Sequence, residues 1–491
     1  MKKGANKKQA NPRHFRDNIE VLVFAVVMAL GLKVFAVEAY QIPTGSMMPN
    51  LMGTDLLDRP GGPPTGGIHD RVLVDKLSYL LRDPERWEVV VFRYPLATIN
   101  NYVKRLVGMP DEELAIQHGD VYARPLGTVE DFQILRKPKE IQQTLWKRMH
   151  PKPGDPPGGF ARWDKSGQYQ ESDGAVRLNG KGRIQYRNWR NEYRHGLPDK
   201  IYFRVPSQGQ DFDSQIKVSD LRMDFEVTPE ANAGELEIFL ECGPQPRTQP
   251  LKLILKPGQD QHLLLLPNQE EIQVSLPIAT GEAVSGSLAF WDHTVSVTVK
   301  SQGESFQHDQ DLDLQPKRVL QNASGFGSET GGWLIQAPEV FRDIHYTPPA
   351  GYTAVQTYTC EIEKGHYFML GDNTLNSLDS RQWEALVHEL DPPIGGVSVL
   401  RGDSLPNGQD PLYNNPRLNR NGTVRTFRNE YGEYFVYPLD FETEGKVRKR
   451  TVKSSSQTEP LVPRRYILGK AMAVFLPIPP FSPLVRIKLV R

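Results

Sequence analysis

The sequence predicts a mainly β protein with one N-terminal helix and a second β domain inserted into the first. Three observations support this fold class. The 491 residues include 41 glycines and 40 prolines, which favour turns and loop-rich β structure. Several segments alternate apolar and polar side chains, as strands with one buried face do. The length also exceeds one ordinary core, so about two to four domains are expected.

Composition excludes several classes of protein. Lys+Arg and Asp+Glu number 59 each, which argues against a basic nucleic-acid-binding surface. The hydrophobic content of 38% and the mean hydropathy of -0.49 predict that most of the mass is soluble. The two cysteines, Cys242 and Cys360, make neither a disulfide framework nor a Cys-rich zinc site. We expect two unpaired thiols; a disulfide formed in an oxidising compartment is the alternative.

The N-terminus predicts a membrane anchor. Residues 19–39 reach the ~20 mostly apolar positions of a span if Glu20 and Lys33, near its ends, are tolerated. Basic residues precede it, at Lys2, Lys3, Lys7, Lys8, Arg13 and Arg16. They place residues 1–18 in the cytoplasm and everything after residue 39 outside. The alternative is a cleaved signal peptide with a weak cleavage site at 37–39.

The pattern beyond the anchor predicts one interrupted domain. Short strands are predicted at 72–74, 88–93 and 102–108, where β-branched and aromatic residues cluster. Residues 125–345 form the predicted insertion, loop-rich at first and then, at about 219–300, alternating like a jelly-roll-like antiparallel β-sandwich. The predicted organisation is a first domain in three parts, 40–124, 346–383 and 462–491, with a second polar insertion at 384–461 and a closing strand and tail in the last part.

A decapeptide at 42–51 carries a candidate nucleophile, Ser46, just beyond the predicted anchor. A serine hydroxyl attacks a carbonyl only with an adjacent base. None of the eleven histidines lies in a comparable motif, whereas Lys104 lies in a predicted strand. Burial can lower a lysine pKa from ~10.4 to ~7–8, which costs about 4 kcal/mol. Taken alone, each residue is more often an ordinary turn serine or a solvated strand lysine.

Together with four further segments, these residues form a series that resembles the bacterial type I signal peptidases, membrane-anchored Ser-Lys proteases that remove signal peptides. The matching segments, in family order, are 42–49, 70–74, 88–92, 102–110, 371–381 and 469–471. The chain departs from the family pattern at Thr374-Leu375, at Leu378 and after Trp383. These departures concern the substrate range and the loop geometry, because no catalytic group is lost.

The resemblance implies a role for each matched position. Ser46 is the nucleophile, Lys104 the general base, and Thr44 joins the Ser46 backbone N–H in the oxyanion hole. Ser377 orients the lysine amine. The remaining matched positions are a supporting salt bridge, Asp379 and Arg381, and the shallow apolar pockets for small substrate side chains, Ile42, Pro43, Met47, Leu51, Tyr102 and Val103.

The resemblance also implies the activity and its setting. The chain would be a single-pass protein of the bacterial inner (plasma) membrane that cleaves the signal peptides of exported preproteins through an acyl-enzyme. Its partners would be those peptides, the lipid bilayer and, functionally, the secretion translocon, with no nucleic acid, metal or cofactor.

Some features leave other interpretations open. Asp292-His293 and the alternating Asp309, Asp311 and Asp313 are weak metal patterns, and solvated acidic loops explain them better. One alternative function is a degenerate scaffold that presents the β-sandwich for envelope binding. Another is a dedicated Ser-Lys protease with a single partner substrate.

Overall fold

The structure is a computed structural model of the chain. It describes residues 12–31, 36–57, 65–151, 160, 163–172, 174–187, 218, 220–242, 249–315, 322–336, 338–349, 352, 356–374, 377–404, 415–476 and 487–490. Residues 375 and 376 of the predicted 371–381 motif therefore lie outside the described residues. The described residues form a mainly β fold, which confirms that part of the predicted fold class.

The helices within these ranges are α1 (Pro12–Gly31), α2 (Ser78–Leu81) and α3 (Lys139–Leu145). The strands up to the end of the predicted first insertion are β1 (Val37–Gln41), β2 (Gly53–Leu57), β3 (Thr65–His69), β4 (Arg71–Asp75), β5 (Val89–Tyr94), β6 (Ala97–Gly108), β7 (Glu112–Gln117), β8 (Asp120–Pro125), β9 (Gln133–Ile134), β10 (Lys147–His150), β11 (Trp163–Ser172), β12 (Ala175–Arg187), β13 (Leu221–Pro229), β14 (Leu236–Glu241), β15 (Leu251–Leu255), β16 (Gln261–Leu265), β17 (Glu271–Ser275), β18 (Val284–Trp291), β19 (Thr294–Ser301), β20 (Glu304–Asp311), β21 (Ala323–Ser328), β22 (Trp333–Gln336) and β23 (Glu339–Arg342). The strands that follow are β24 (Tyr358–Ile362), β25 (His366–Leu370), β26 (Glu384–Ile394), β27 (Val397–Asp403), β28 (Arg417–Leu418), β29 (Val424–Arg428), β30 (Tyr434–Pro438), β31 (Asp440–Thr443), β32 (Lys446–Lys449), β33 (Thr451–Thr458), β34 (Leu461–Pro463), β35 (Ile467–Leu476) and β36 (Lys488–Leu489).

The sheet that carries the candidate site has eight strands drawn from all three predicted parts of the first domain. Their order is β1-β4-β35-β5-β6-β25-β34, with β36 beside β35. The pairs in this order are antiparallel. The predicted closing strand, β35, lies between β4 and β5, so the end of the chain completes the sheet begun by its first third.

The predicted first insertion is dominated by a sheet of fourteen strands, with the main path β17-β16-β15-β14-β21-β12-β22-β13-β18-β19-β20. Strand β13 alternates buried and half-buried residues, as its sequence pattern predicts. The sheet begins earlier than expected, because β10, β11 and β12 lie in the stretch predicted as loop-rich. In β12 every even-numbered residue from 176 to 186 is buried, but two of them, Gly180 and Gly182, hide the alternation from a hydrophobic pattern.

The predicted second insertion also contains strands. Strands β26, β27 and β33 form one three-stranded sheet, β28, β29 and β30 form another, and β31 pairs with β32. A small apolar core that includes Leu390, Leu400, Phe427 and Tyr437 stabilises them. The polar composition of this stretch did not indicate these strands, because strands packed on a small core expose most of their side chains.

The N-terminal helix differs in its bounds from the predicted anchor at 19–39. It begins at Pro12 and ends at Gly31, while residues 37–39 belong to β1, where they pair with β4 in the eight-stranded sheet. Because residues 37–39 form backbone hydrogen bonds in that sheet, they do not extend the N-terminal helix as the predicted anchor required. No helix within the described ranges combines the length and apolarity that crossing a bilayer requires. Cys242 and Cys360 are buried free thiols, as predicted.

Candidate active site

Ser46 lies in a 3-10 turn, Gly45–Met47, between β1 and β2. The turn is tight: the Met48 N–H donates to the Gly45 carbonyl at 3.1 Å, and a Cβ on Gly45 would lie 2.8 Å from the Met48 side chain. Met47 is buried in an apolar cluster with Ile42, which fixes the turn to the core. Ser46 is thereby held at the wall of a cavity.

Lys104 reaches Ser46 from the middle of β6, where it lies opposite Val90 of β5. Its Nζ is 2.6 Å from the Ser46 Oγ, although the two residues are 58 positions apart. Lys104 is 4% exposed. This distance lies within the range expected for a nucleophile and its base.

The surroundings of Lys104 favour its neutral form. Burial is the main cause that lowers the pKa of Lys104 to about 8, and the Arg381 guanidinium acts in the same direction. The carboxylates of Asp379 and Asp372 act against it and prevent a larger shift. A lysine with this pKa is partly neutral near neutral pH and can accept a proton.

Asp379 and Arg381 form a buried salt bridge beside the pair. Arg381 Nη2 lies 2.8 Å from Asp379 Oδ2, and both side chains are almost fully buried. Burial would raise the pKa of Asp379, but the Arg381 guanidinium, the Gly371 N–H and Lys104 together outweigh it, so the pKa is lowered. Arg381 also donates to the carbonyls of Thr347 and Thr374, and Asp379 accepts from the Gly371 N–H. The pair therefore ties together the backbone around the site.

Ser377 lines the same cavity as Ser46 and Lys104. Its Oγ is buried, and the described residues offer it no hydrogen-bond partner. Gly371 makes room for it, because a Cβ on that glycine would lie 2.0 Å from the Ser377 Oγ and 2.6 Å from the Ser46 carbonyl oxygen. Thr44 Oγ1 is 3.5 Å from the Ser46 Oγ.

Sequence reasoning missed a second set of contacts that holds the nucleophile. Asn373 donates from its backbone N–H to the Ser46 carbonyl and from Nδ2 to the Gly45 carbonyl, each at 3.0 Å. Asp372 is paired with Arg105 through two bonds of 2.8 Å, and both side chains are fully buried. Arg105 follows Lys104 directly, and Asp372 and Asn373 lie in the 371–381 motif. Their positions were therefore visible in the sequence, whereas their partners were not.

The cavity has a volume of about 510 Å³. Five of the six predicted pocket residues line it: Ile42, Pro43, Met47, Tyr102 and Val103. Leu51 is not among the lining residues; it is fully buried in the apolar cluster beneath the turn. The Leu51 N–H donates to the Met47 carbonyl, and the turn carries its side chain into the core. Polar side chains that the sequence did not single out also line the cavity, among them Asn101 and Gln382.

Outside this site, three carboxylates that could hold a metal ion converge where the fourteen-stranded sheet meets β8. One oxygen from each of Asp120, Asp220 and Asp292 lies within 4.8 Å of the others. Lys137 already occupies part of this cluster, 2.5 Å from Asp292. Of the acidic residues that the sequence pattern singled out, Asp292 belongs to this cluster, whereas Asp309 is paired with Lys139 on the surface.

A serine held against a buried lysine of lowered pKa is the arrangement that a Ser-Lys hydrolase requires. The family described as "Signal peptidase, peptidase S26" matches residues 15–150 and 294–397. The chain is therefore similar to the bacterial type I signal peptidases, which confirms the resemblance found in its motifs.

Individual relatives agree with this assignment. The chain is 33% identical over 129 residues to the "Probable signal peptidase I-2" of Synechocystis sp., covering 25% of this chain and 52% of that protein. It is 29% identical over 134 residues to the "Signal peptidase I" of Leptolyngbya laminosa, covering 26% and 57%. The "Signal peptidase I" of Pseudomonas fluorescens is 37% identical over 97 residues, covering 17% and 29%. The chain thus spans less than two thirds of the length of each.

Proposed function

We propose that this chain is a serine endopeptidase that removes signal peptides from exported preproteins, with Ser46 as nucleophile and Lys104 as general base. The observation that supports this most is the 2.6 Å distance between Ser46 Oγ and the buried Lys104 Nζ. The names of the relatives give the substrate class. The lowered lysine pKa supplies the chemical reason, because only a neutral amine can take the serine proton.

The first half of the reaction follows from this geometry. Neutral Lys104 takes the proton of the Ser46 hydroxyl while Oγ bonds to the carbonyl carbon of the scissile peptide. The negative charge moves to the carbonyl oxygen, which the Ser46 backbone N–H and the Thr44 hydroxyl would stabilise. One such donor is typically worth ~2.7–4 kcal/mol in the transition state.

The second half returns the proton. When the carbon–nitrogen bond breaks, the Lys104 ammonium gives its proton to the leaving amine, and the acyl group remains as an ester on Ser46. Lys104, neutral again, takes a proton from a water molecule that attacks the ester. Release of the acid returns the proton to Ser46 Oγ and completes the cycle.

The other residues would position rather than react. The Ser377 hydroxyl lines the cavity and has no hydrogen-bond partner among the described residues, so it can accept a hydrogen bond from the Lys104 amine as that amine rotates toward substrate. The Asp379–Arg381 pair holds the local backbone. Ile42, Met47 and Val103 would form the shallow apolar surface that favours small side chains near the cleaved bond.

We further propose that the N-terminal segment holds the chain to the bacterial inner membrane, with the catalytic part outside and the fourteen-stranded sheet as an inserted sandwich-like domain. Apolar side chains of α1 stand exposed, with Val21 at 69%, Leu22 at 63% and Phe24 at 67%. Basic residues before them favour a cytoplasmic N-terminus. This arrangement would bring Ser46, close behind the segment, to membrane-embedded signal peptides and to the secretion translocon.

The test is cleavage of a purified preprotein by the full chain in detergent. Ser46→Ala and Lys104→Met should each lower the rate at least about 10³-fold, because each removes one member of a pair that acts as a unit. Ser324→Ala, a buried serine of the fourteen-stranded sheet, is the matched control and should retain activity. Near-normal turnover by either of the first two variants would rule out the mechanism.

A panel of unrelated preproteins separates the remaining alternatives. Cleavage of most of them indicates a general enzyme, and cleavage of one indicates a dedicated protease. Envelope binding without any Ser46-dependent cleavage would instead favour the scaffold.

A further inference from the structure

Lys147 is a buried lysine that the proposed mechanism does not use. It begins β10, the first strand of the fourteen-stranded sheet along the chain, and is 6% exposed. Its Nζ donates to the backbone carbonyl of Asp372, at 2.8 Å, in the 371–381 motif that carries the site.

The carbonyl that Lys147 contacts belongs to the same peptide group as the Asn373 N–H. A peptide group is planar, so an atom held at one end fixes the direction of the bond at the other. The Asn373 N–H donates to the Ser46 carbonyl at 3.0 Å. A single rigid plane therefore joins the Lys147 amine to the backbone of the nucleophile.

Charge strengthens this connection. Hydrogen bonds from an ammonium group are stronger than neutral ones, and polarising the carbonyl makes the N–H of the same group a better donor. Burial, followed by the Arg342 guanidinium, lowers the pKa of Lys147 to about 7, while the Asp372 and Asp343 carboxylates partly offset the shift. The amine donates in both protonation states, so the contact persists through neutral pH.

The place of Lys147 in the chain gives the contact its meaning. Strand β10 pairs with β23, and Lys147 lies directly opposite Arg342. Strands β10 and β23 are the first and last strands of the fourteen-stranded sheet in chain order. The contact therefore lies where the chain enters and leaves that sheet. A deletion of the insertion that begins at residue 125 would also remove this lysine.

We propose that Lys147 is a positioning residue for the serine–lysine pair, which fixes the Asp372–Asn373 peptide plane and thereby the backbone of Ser46. The fourteen-stranded sheet then contributes a residue that positions the candidate active site. This inference rests on the proposed protease function for its kinetic consequence and on geometry alone for its structural one.

The test compares Lys147→Met with Arg148→Met in the full chain. Arg148, the next residue of β10, is a partly exposed cation paired with Glu339, so its loss controls for general damage to the strand. Lys147→Met should lower kcat about 10- to 100-fold with little change in KM, because misplacing the nucleophile affects the reaction more than binding. Amide hydrogen exchange should become faster at 45–51 and 372–374 in this variant alone.

The two readouts separate this inference from the proposed function. If the wild-type chain shows no Ser46-dependent cleavage, the protease proposal fails, and local exchange alone decides the role of Lys147. Wild-type kcat together with wild-type exchange in Lys147→Met would overturn the inference. So would exchange that accelerates uniformly over the whole sheet. Should Lys147→Met not fold, Lys147→Gln, whose shorter amide cannot reach the carbonyl, takes its place in the same comparison.

Discussion

Two buried lysines of this chain behave in opposite ways. Lys104, beside Ser46, is 4% exposed, and Lys137, between β9 and α3, is 5% exposed. The pKa of Lys104 is lowered to about 8, with burial as the main cause. Burial would also lower the pKa of Lys137, but the carboxylates of Asp292 and Asp343 outweigh it and raise the pKa above its usual range.

The difference comes from what else binds the neighbouring carboxylates. Lys137 Nζ contacts Asp292 at 2.5 Å and Asp343 at 2.8 Å, so it acts as their counter-ion. The acids near Lys104 are bound by arginines, Asp379 by Arg381 and Asp372 by Arg105. A buried lysine can therefore become a base when its acidic neighbours already have cations of their own.

Lys137→Met should produce the largest effect, because it leaves buried carboxylates without their cation. Breaking a buried ion pair in this way typically costs about 3–5 kcal/mol. The free energy of unfolding measured in denaturant should fall by that order. Lys139→Met is the matched control, since Lys139 is 39% exposed and its pair with Asp309 lies at the surface. Such pairs contribute about 0–1 kcal/mol. Equal costs for the two variants would contradict the comparison.

The pH dependence of cleavage tests the arginine side of the comparison. As the proposed base, Lys104 would have to be neutral, so the rate of cleavage should fall as pH drops below the Lys104 pKa of about 8. Arg381→Gln removes a cation that lowers this pKa and frees the Asp379 carboxylate. The acid limb, which is the low-pH side of the pH–rate profile, should therefore move to higher pH. Each unit by which the Lys104 pKa rises should lower the rate at low pH about tenfold.

Asp379→Asn provides the opposite change. It removes a carboxylate that raises the pKa of Lys104, so the acid limb should move to lower pH. Both variants disturb the backbone that the salt bridge holds, and both lower the maximal rate for that reason. The position of the limb is the informative quantity, and shifts in the same direction for the two variants would be incompatible with our electrostatic argument.

The proximity of Ser46 and Lys104 could be predicted from sequence because both lie in short motifs that occur in a characteristic order. Ser46, Lys104, Ser377, Asp379 and Arg381 were all found in this way, and the structure brings them to one place. Leu51 was predicted to line the pocket, but it lies in the apolar core, although it belongs to the same decapeptide as Ser46. Closeness in sequence does not determine whether a side chain in a turn faces the cavity or the core.

The contacts between distant segments could not be predicted. Lys137 and Asp292 are separated by 155 positions, and Lys147 and Asp372 by 225. Nothing local marks such a lysine, since only the folded sheet shows what it faces. The same limit applies to β12, whose inward glycines carry no hydrophobic signal although their positions alternate regularly with exposed ones.

A last effect is expected at the side of the Lys137 cluster where Asp220 lies, buried and accepting the Asp292 N–H. Burial, followed by the charges of Asp292 and Asp343, raises the pKa of Asp220 from 3.8 to about 7. The folded chain therefore keeps a proton that the unfolded chain loses as pH rises from about 4 to 7, so this group's contribution to stability declines through that window.

Asp220→Asn has no proton to lose and can still accept the Asp292 N–H, which Asp220 now binds at 2.9 Å. The variant should gain stability relative to the wild type as pH rises from 4 to 8, by at most about 4 kcal/mol, because the pKa of Asp220 is raised from 3.8 to about 7 and each unit corresponds to 1.36 kcal/mol. Denaturant unfolding at the two pH values measures this difference. A stability difference that stays constant between pH 4 and pH 8 would contradict this prediction. It would mean that Lys137 compensates the charge of Asp220 as fully as it compensates the charge of Asp292. The contrast between Lys104 and Lys137 would then be larger than we infer.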